Sequence, residues 1–125
     1  MHKILIVDDA MFMRGNIKRI LQSTENDYMF IEAENGADAV TTCRLAIERE
    51  YHIDLIILDI TMPIMDGLSA LKEIKTFCPD SKIIMCSSLD QQEIIIDAIE
   101  SGADDFIVKP FTDDIIINAV QTVLL

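Results

Sequence analysis

Five residues suited to phosphoryl or metal chemistry each stand just after a short apolar run. Asp8 and Asp9 follow Lys3 to Val7, Asp59 follows Leu55 to Leu58, Ser87 follows Lys82 to Cys86, and Lys109 follows Asp105 to Val108. Three carboxylates gathered at one place disfavour joint ionisation, so at least one should carry a raised pKa unless a cation relieves it. Mg2+ suits a site of a few carboxylates, a carbonyl and retained waters, and Mn2+ accepts similar oxygen ligands. Ser87 would add a hydroxyl donor and Lys109 a point positive charge. Phosphoryl transfer asks little of a protein beyond positioning and charge stabilisation, and this set supplies both. An aspartate can itself be the acceptor, forming an acyl phosphate. Asp59 is the strongest candidate, because it ends the run expected at the centre of the sheet. Taken singly, each residue has an ordinary reading: a turn or helix cap for Asp8-Asp9 and Ser87-Ser88, a strand end for Lys109-Pro110. The argument for a site rests on all four run ends bearing compatible chemistry.

Runs of four or five Ile, Leu and Val read as strands buried on both faces, as in parallel sheets. All strands of such a sheet present their carboxyl ends at one edge, so the five residues are expected to meet in one crevice. Between the runs lie segments with helical spacing. A first helix is predicted over residues 10–22, a second over about 37–50 and a third over 68–77. Tyr28 to Glu34 alternates like a further strand and is followed by the turn pair Asn35-Gly36. Asp90 and Glu93 have the spacing of a capping box for a fourth helix, which Gly102 should end. Thr112 is a suitable N-cap for a fifth, with Asp113 and Asp114 placed against its positive end. The order is β-α five times, which predicts an α/β fold: a five-stranded parallel doubly wound sheet with five helices.

The 125 residues are expected to form a single domain, 1–125, long enough to bury roughly two-thirds of the unfolded surface. No run approaches the ~18 apolar residues of a membrane span, and Ile4 to Val7 is too short for a signal peptide. Cys43, Cys78 and Cys86 lack paired spacing and read as reduced thiols, which predicts a cytoplasmic protein. His2 and His52 have no partners at metal spacing. The chain carries 10 basic and 22 acidic residues, a net charge of −12. Residues 83–125 hold eight acids and one base, Lys109, and so −7 of that total. Such a surface repels a polyanion, so nucleic-acid binding is not expected. Arg14 and Lys18, four apart on the first helix, read either as solvated charges or as a docking patch for a kinase or phosphatase.

Four segments in combination resemble the receiver domains of two-component response regulators over essentially the whole chain. They are K-I-L-I-V-D-D at 3–9, L-D-I-T-M-P-I-M-D-G at 58–67, I-I-M-C-S-S at 83–88 and G-A-D-D-F-I-V-K-P-F at 102–111. The resemblance implies that Asp59 accepts phosphate from the phosphohistidine of a histidine kinase or phosphotransfer domain. It implies Mg2+ held by Asp9 and Asp59 directly, by Asp8 mainly through water and by the Thr61 backbone carbonyl. Ser87 and Lys109 would contact phosphoryl oxygens, with Ser87 and the aromatic Phe106 acting as the switch. The strand order 2-1-3-4-5 comes with the resemblance rather than from the sequence pattern.

Residues 8–14 (D-D-A-M-F-M-R) are most similar to single-domain chemotaxis regulators of the CheY type, which implies a monomer with no output domain. Phe106 stands where the best-known chemotaxis members carry Tyr, so it offers no hydroxyl to a partner. The acidic segment also lacks the lysines those members present to a flagellar-switch peptide, and weak binding to such a target is expected. The stretch from Gly36 to Asp59 is several residues longer than usual. Other roles considered are a phosphorelay intermediate, the receiver part of a longer transcriptional regulator, and a haloacid-dehalogenase-type phosphatase. The last needs a second acid two residues after the nucleophile, and that position is Thr61.

Overall fold

The computed structural model describes residues 1–125. The elements alternate in chain order: β1 His2–Val7, α1 Met11–Gln22, β2 Tyr28–Ala33, α2 Gly36–Glu48, β3 Leu55–Leu58, α3 Gly67–Phe77, β4 Lys82–Ser87, α4 Gln92–Glu100, β5 Asp105–Val108 and α5 Asp113–Leu124. All four strand pairings are parallel, and the sheet order is β2-β1-β3-β4-β5. β3 is therefore central, and both its neighbours run the same way.

The period of two along each strand divides the core into two layers. Leu5, Val7, Ile56, Leu58, Ile83 and Met85 face the layer that also contains Ala39, Val40, Leu71, Ile74 and Ala98 from α2, α3 and α4. Ile4, Ile6, Leu55, Ile57, Ile84 and Cys86 face the other, packed with Ile17, Ile20, Leu21, Ile116 and Val120 from α1 and α5. With both faces covered, the strands are apolar throughout, which explains the runs. Burying each such Ile or Leu stabilises the fold by about 1.5–3 kcal/mol.

Most boundaries fall within a residue or two of expectation, and the differences lie at the caps. Asn35 is the N-cap of α2, its side chain accepting the Asp38 N–H at 2.8 Å. Asp66 caps α3 in the same way through the Ser69 N–H at 2.8 Å. The expected capping box of α4 does not form. The helix starts one residue later, after Gln91, and no side chain caps it. Gly102 adopts φ of +111° after α4, the left-handed conformation expected of a residue that ends a helix. Thr112 holds the N-cap position of α5 with extended backbone but makes no side-chain cap bond.

The long stretch before β3 is resolved into α2 and a connection over residues 49–54. Tyr51 and Ile53 of that connection line a shallow groove of about 340 Å3 with Ile31 and Leu45. No helix is long and apolar enough to cross a membrane.

Candidate functional site

The parallel order brings the ends of β1, β3, β4 and β5 to one edge of the sheet. There, Asp8, Asp9 and Asp59 offer carboxylate oxygens that all lie within 4.8 Å of one another. Asp8 and Asp59 are buried, whereas Asp9 is exposed. Lys109 reaches in from the end of β5, its Nζ 2.7 Å from Asp8 Oδ2 and 3.4 Å from Asp59 Oδ2. This contact joins residues 101 apart in sequence. Ser87, almost fully buried at the end of β4, accepts the Leu89 N–H through its Oγ at 3.2 Å. Thr61 lies exposed on the loop after Asp59.

Local backbone contacts hold Asp59 in place. Its N–H donates to the Val7 carbonyl at 3.0 Å, and its Oδ1 accepts the Ile60 N–H at 2.7 Å. Gly67 closes the loop behind it, donating its N–H to the Ile60 carbonyl at 2.8 Å. A Cβ at Gly67 would sit 1.8 Å from the Asp59 carbonyl oxygen, so no other residue fits there without moving the backbone. The close approach depends on α3 folding back against the end of β3.

Burial raises the Asp59 carboxyl above its ordinary range; the Lys109 ammonium opposes this, and the Asp8 charge adds to it. The expected raised carboxyl is thus present, with desolvation a larger cause than like charge. Burial pushes Lys109 down, but its bond to Asp8 and the charge of Asp59 outweigh this and leave it raised, so it remains an ammonium. The buried Cys86 thiol beneath the site is pushed up to about 12 by desolvation and takes no part as a thiolate at neutral pH. Three oxygen donors sharing a small space, one open to solvent, fit a hard divalent cation in donor type, charge and access.

One residue of α1 departs from expectation. Arg14 is buried rather than a solvated charge: its Nε lies 2.9 Å from Glu32 Oε1, and its Nη1 donates to the Asp8 carbonyl at 2.7 Å. β2 packs beside the helix face that carries it, and this neighbour could not be read from the helix alone. Lys18 stays half-exposed and pairs with the other oxygen of Glu32 at 3.3 Å. Phe106 is half-buried, packed against the α2–α3–α4 core layer. It also lines a groove of about 530 Å3 with Val108, Ile115 and Ala119.

Comparison with known proteins agrees with this geometry. Residues 4–121 match the family described as the response regulator receiver domain. The chain is 52% identical over 124 residues to the chemotaxis protein CheY of Bacillus subtilis, covering 98% of each sequence. It is 44% identical over 122 residues to CheY of Thermotoga maritima, covering 97% of this chain and 96% of that one. Among solved structures it is similar to the CheX–CheY–BeF3–Mg2+ complex of Borrelia burgdorferi, with a TM-score of 0.89 and 32% identity, covering 99% of this chain and 90% of that one. An acidic cluster at the carboxyl edge of a five-stranded parallel sheet, in the 2-1-3-4-5 order, is what these relatives lead one to expect, and the chain belongs to the response regulator receiver domain family, most like its CheY chemotaxis regulators.

Proposed function

We propose that Asp59 accepts a phosphoryl group from a histidine kinase or phosphotransfer domain, in a reaction that needs a divalent cation, and that the chain thereby signals in chemotaxis. The observation that carries this reading is the convergence of Asp8, Asp9 and Asp59 within 4.8 Å beside the Lys109 ammonium. An Asp59 carboxylate oxygen attacks phosphorus, the phosphorus–nitrogen bond of the phosphohistidine breaks, and the imidazole leaves with its electron pair and takes up a proton. Asp8, Asp9, Asp59 and the Thr61 carbonyl would hold Mg2+ or Mn2+. When bound, the cation neutralises charge on the carboxylates and on the phosphoryl oxygens. Lys109, whose Nζ lies 2.7 Å from Asp8 Oδ2 and 3.4 Å from Asp59 Oδ2, supplies a second positive charge, and Ser87 donates its hydroxyl to a phosphoryl oxygen. The occurrence of BeF3 and Mg2+ in the Borrelia CheY complex supports a site of this kind.

Output follows from Ser87. Its Oγ can keep accepting the Leu89 N–H while its hydroxyl proton donates to a phosphoryl oxygen, and that donation draws Ser87 toward the phosphoryl group and favours the conformer in which Phe106 turns inward. This is a population shift between two packings of the α4–β5–α5 face.

Incubation with acetyl phosphate tests the reading, scored by intact mass. Wild type should gain one phosphoryl mass with Mg2+ and none in chelator, and Asp59→Asn should gain none. Equal labelling of wild type and Asp59→Asn, or undiminished labelling in chelator, would sink the proposal.

A further inference from the structure

The contacts of Arg14 give it a role beyond ion pairing. Its side chain is 8% exposed and grips two elements at once, the Asp8 carbonyl at the end of β1 and the Glu32 carboxylate on β2. Burial pushes the Glu32 carboxyl up, but hydrogen bonds and charge from Arg14 and Lys18 hold it below the usual carboxylate range. Glu32 is therefore an anion at neutral pH, and the Arg14 charge is met locally. What Arg14 adds to the acidic cluster is geometry.

Asp8 is held at every polar atom. Its N–H donates to the Ala33 carbonyl at 3.2 Å, its Oδ1 accepts the Ala10 N–H at 2.9 Å, its Oδ2 accepts from Lys109, and its carbonyl accepts from Arg14. Asp9 has no side-chain hydrogen bond or ion pair and is exposed. Its direction is inherited from the peptide that joins it to Asp8. Because that peptide is planar, fixing the Asp8 carbonyl oxygen fixes the orientation of the Asp9 N–H and limits where its Cα can lie.

We propose that Arg14 is a positioning residue of the acidic cluster, holding the Asp8–Asp9 peptide so that Asp9 presents its carboxylate to a divalent cation. This rests on the reading of the cluster as a cation site. Lysine cannot substitute, since one ammonium on a flexible stem lacks the planar fork that reaches carbonyl and carboxylate together. Groups that orient metal ligands from behind typically change metal affinity by 10- to 100-fold when removed.

The test uses the full chain with Arg14→Lys, and with Glu32→Gln as a second route should Arg14→Lys fold poorly. Mg2+ binding is measured calorimetrically, and amide hydrogen exchange at Ala10, whose N–H is held by Asp8 Oδ1, by NMR. Arg14→Lys should weaken Mg2+ binding about tenfold or more and accelerate exchange at Ala10. Labelling by acetyl phosphate should recover at saturating Mg2+. Glu32→Gln, which removes the charge that Arg14 pairs with and leaves a weaker neutral acceptor, should move both readouts the same way by less. Arg19→Met, which removes an exposed charge from the same helix, should change neither. Wild-type Mg2+ affinity in Arg14→Lys, or unchanged exchange at Ala10, would overturn the proposal. If wild type itself bound no Mg2+, the cation reading would fall, and the exchange comparison would still decide whether Arg14 holds this peptide.

Discussion

Asp59 is a carboxylate kept buried beside another carboxylate, with one ammonium between them. Because burial raises its pKa, the folded chain holds its proton more tightly than the unfolded chain. The sign follows directly. Stability from this group is greatest below the ordinary carboxyl pKa, falls as pH rises through the raised value, and stays diminished at neutral pH. Asp59→Asn removes that liability while keeping size and shape. Its melting temperature at pH 7 should exceed that of wild type. The gain should shrink towards about pH 4, where carboxyls protonate in either state. Thermal denaturation of both proteins across pH checks this, and an Asn variant less stable than wild type at pH 7 would contradict it. Asp59, Ser87 and Lys109 were legible in the sequence because strand ends are local features. The burial of Arg14 was not, because its partner Glu32 lies on another element.

Among the elements, α3 matters most for the site, since its first residue closes behind Asp59. At Gly67 an added Cβ meets backbone at 1.8 Å, whereas at Gly102 it meets only the flexible Lys75 stem at 3.2 Å. Gly102→Ala should therefore cost mainly its conformational strain at φ of +111°, about 1 kcal/mol. Gly67→Ala must displace either the end of β3 or the start of α3, and should cost more, about 2–4 kcal/mol. Urea unfolding of the two variants gives the ranking directly. A smaller loss at Gly67 than at Gly102 would show that the loop can yield. The strands and most helices were readable because both-face burial and helical spacing leave strong periodic marks. The α4 capping box was misread because residue spacing alone does not specify which residue keeps extended backbone.

At the scale of the molecule, cation binding and folding are linked. Ligand at 100 times its dissociation constant adds about 2.7 kcal/mol to the stability of a fold that alone binds it. Mg2+ at that excess should raise the melting temperature of wild type, and raise that of Asp59→Asn by less. Equal shifts in both would place the cation elsewhere. The second consequence concerns charge. Of the carboxylates Asp90, Glu93, Asp97, Asp113 and Asp114, in and just before α4 and at the start of α5, Asp97 lies 3.4 Å from Lys72 and Asp113 lies 3.9 Å from Arg19. Asp90, just before α4, and Glu93 and Asp114, on the same elements as the exposed Ile96, Ile99 and Ile115, remain exposed without such partners. A cationic or apolar partner suits this surface, so an acidic flagellar-switch peptide should bind weakly even to phosphorylated protein. Titration at physiological salt decides it, a phosphorylation-dependent micromolar complex being the contrary result.

The amino-acid sequence by itself determined which segments are strands, which residues close them and what chemistry those residues share. Those properties follow from apolar period and from side-chain type, both written within a few neighbouring positions. Tertiary structure alone decided that Lys109 meets Asp8, that Gly67 lies against the Asp59 carbonyl, and that Arg14 turns inward to Glu32 and the Asp8 carbonyl. Each of these depends on which element packs beside which, and a side chain's partners and exposure are properties of that packing rather than of its own helix or strand.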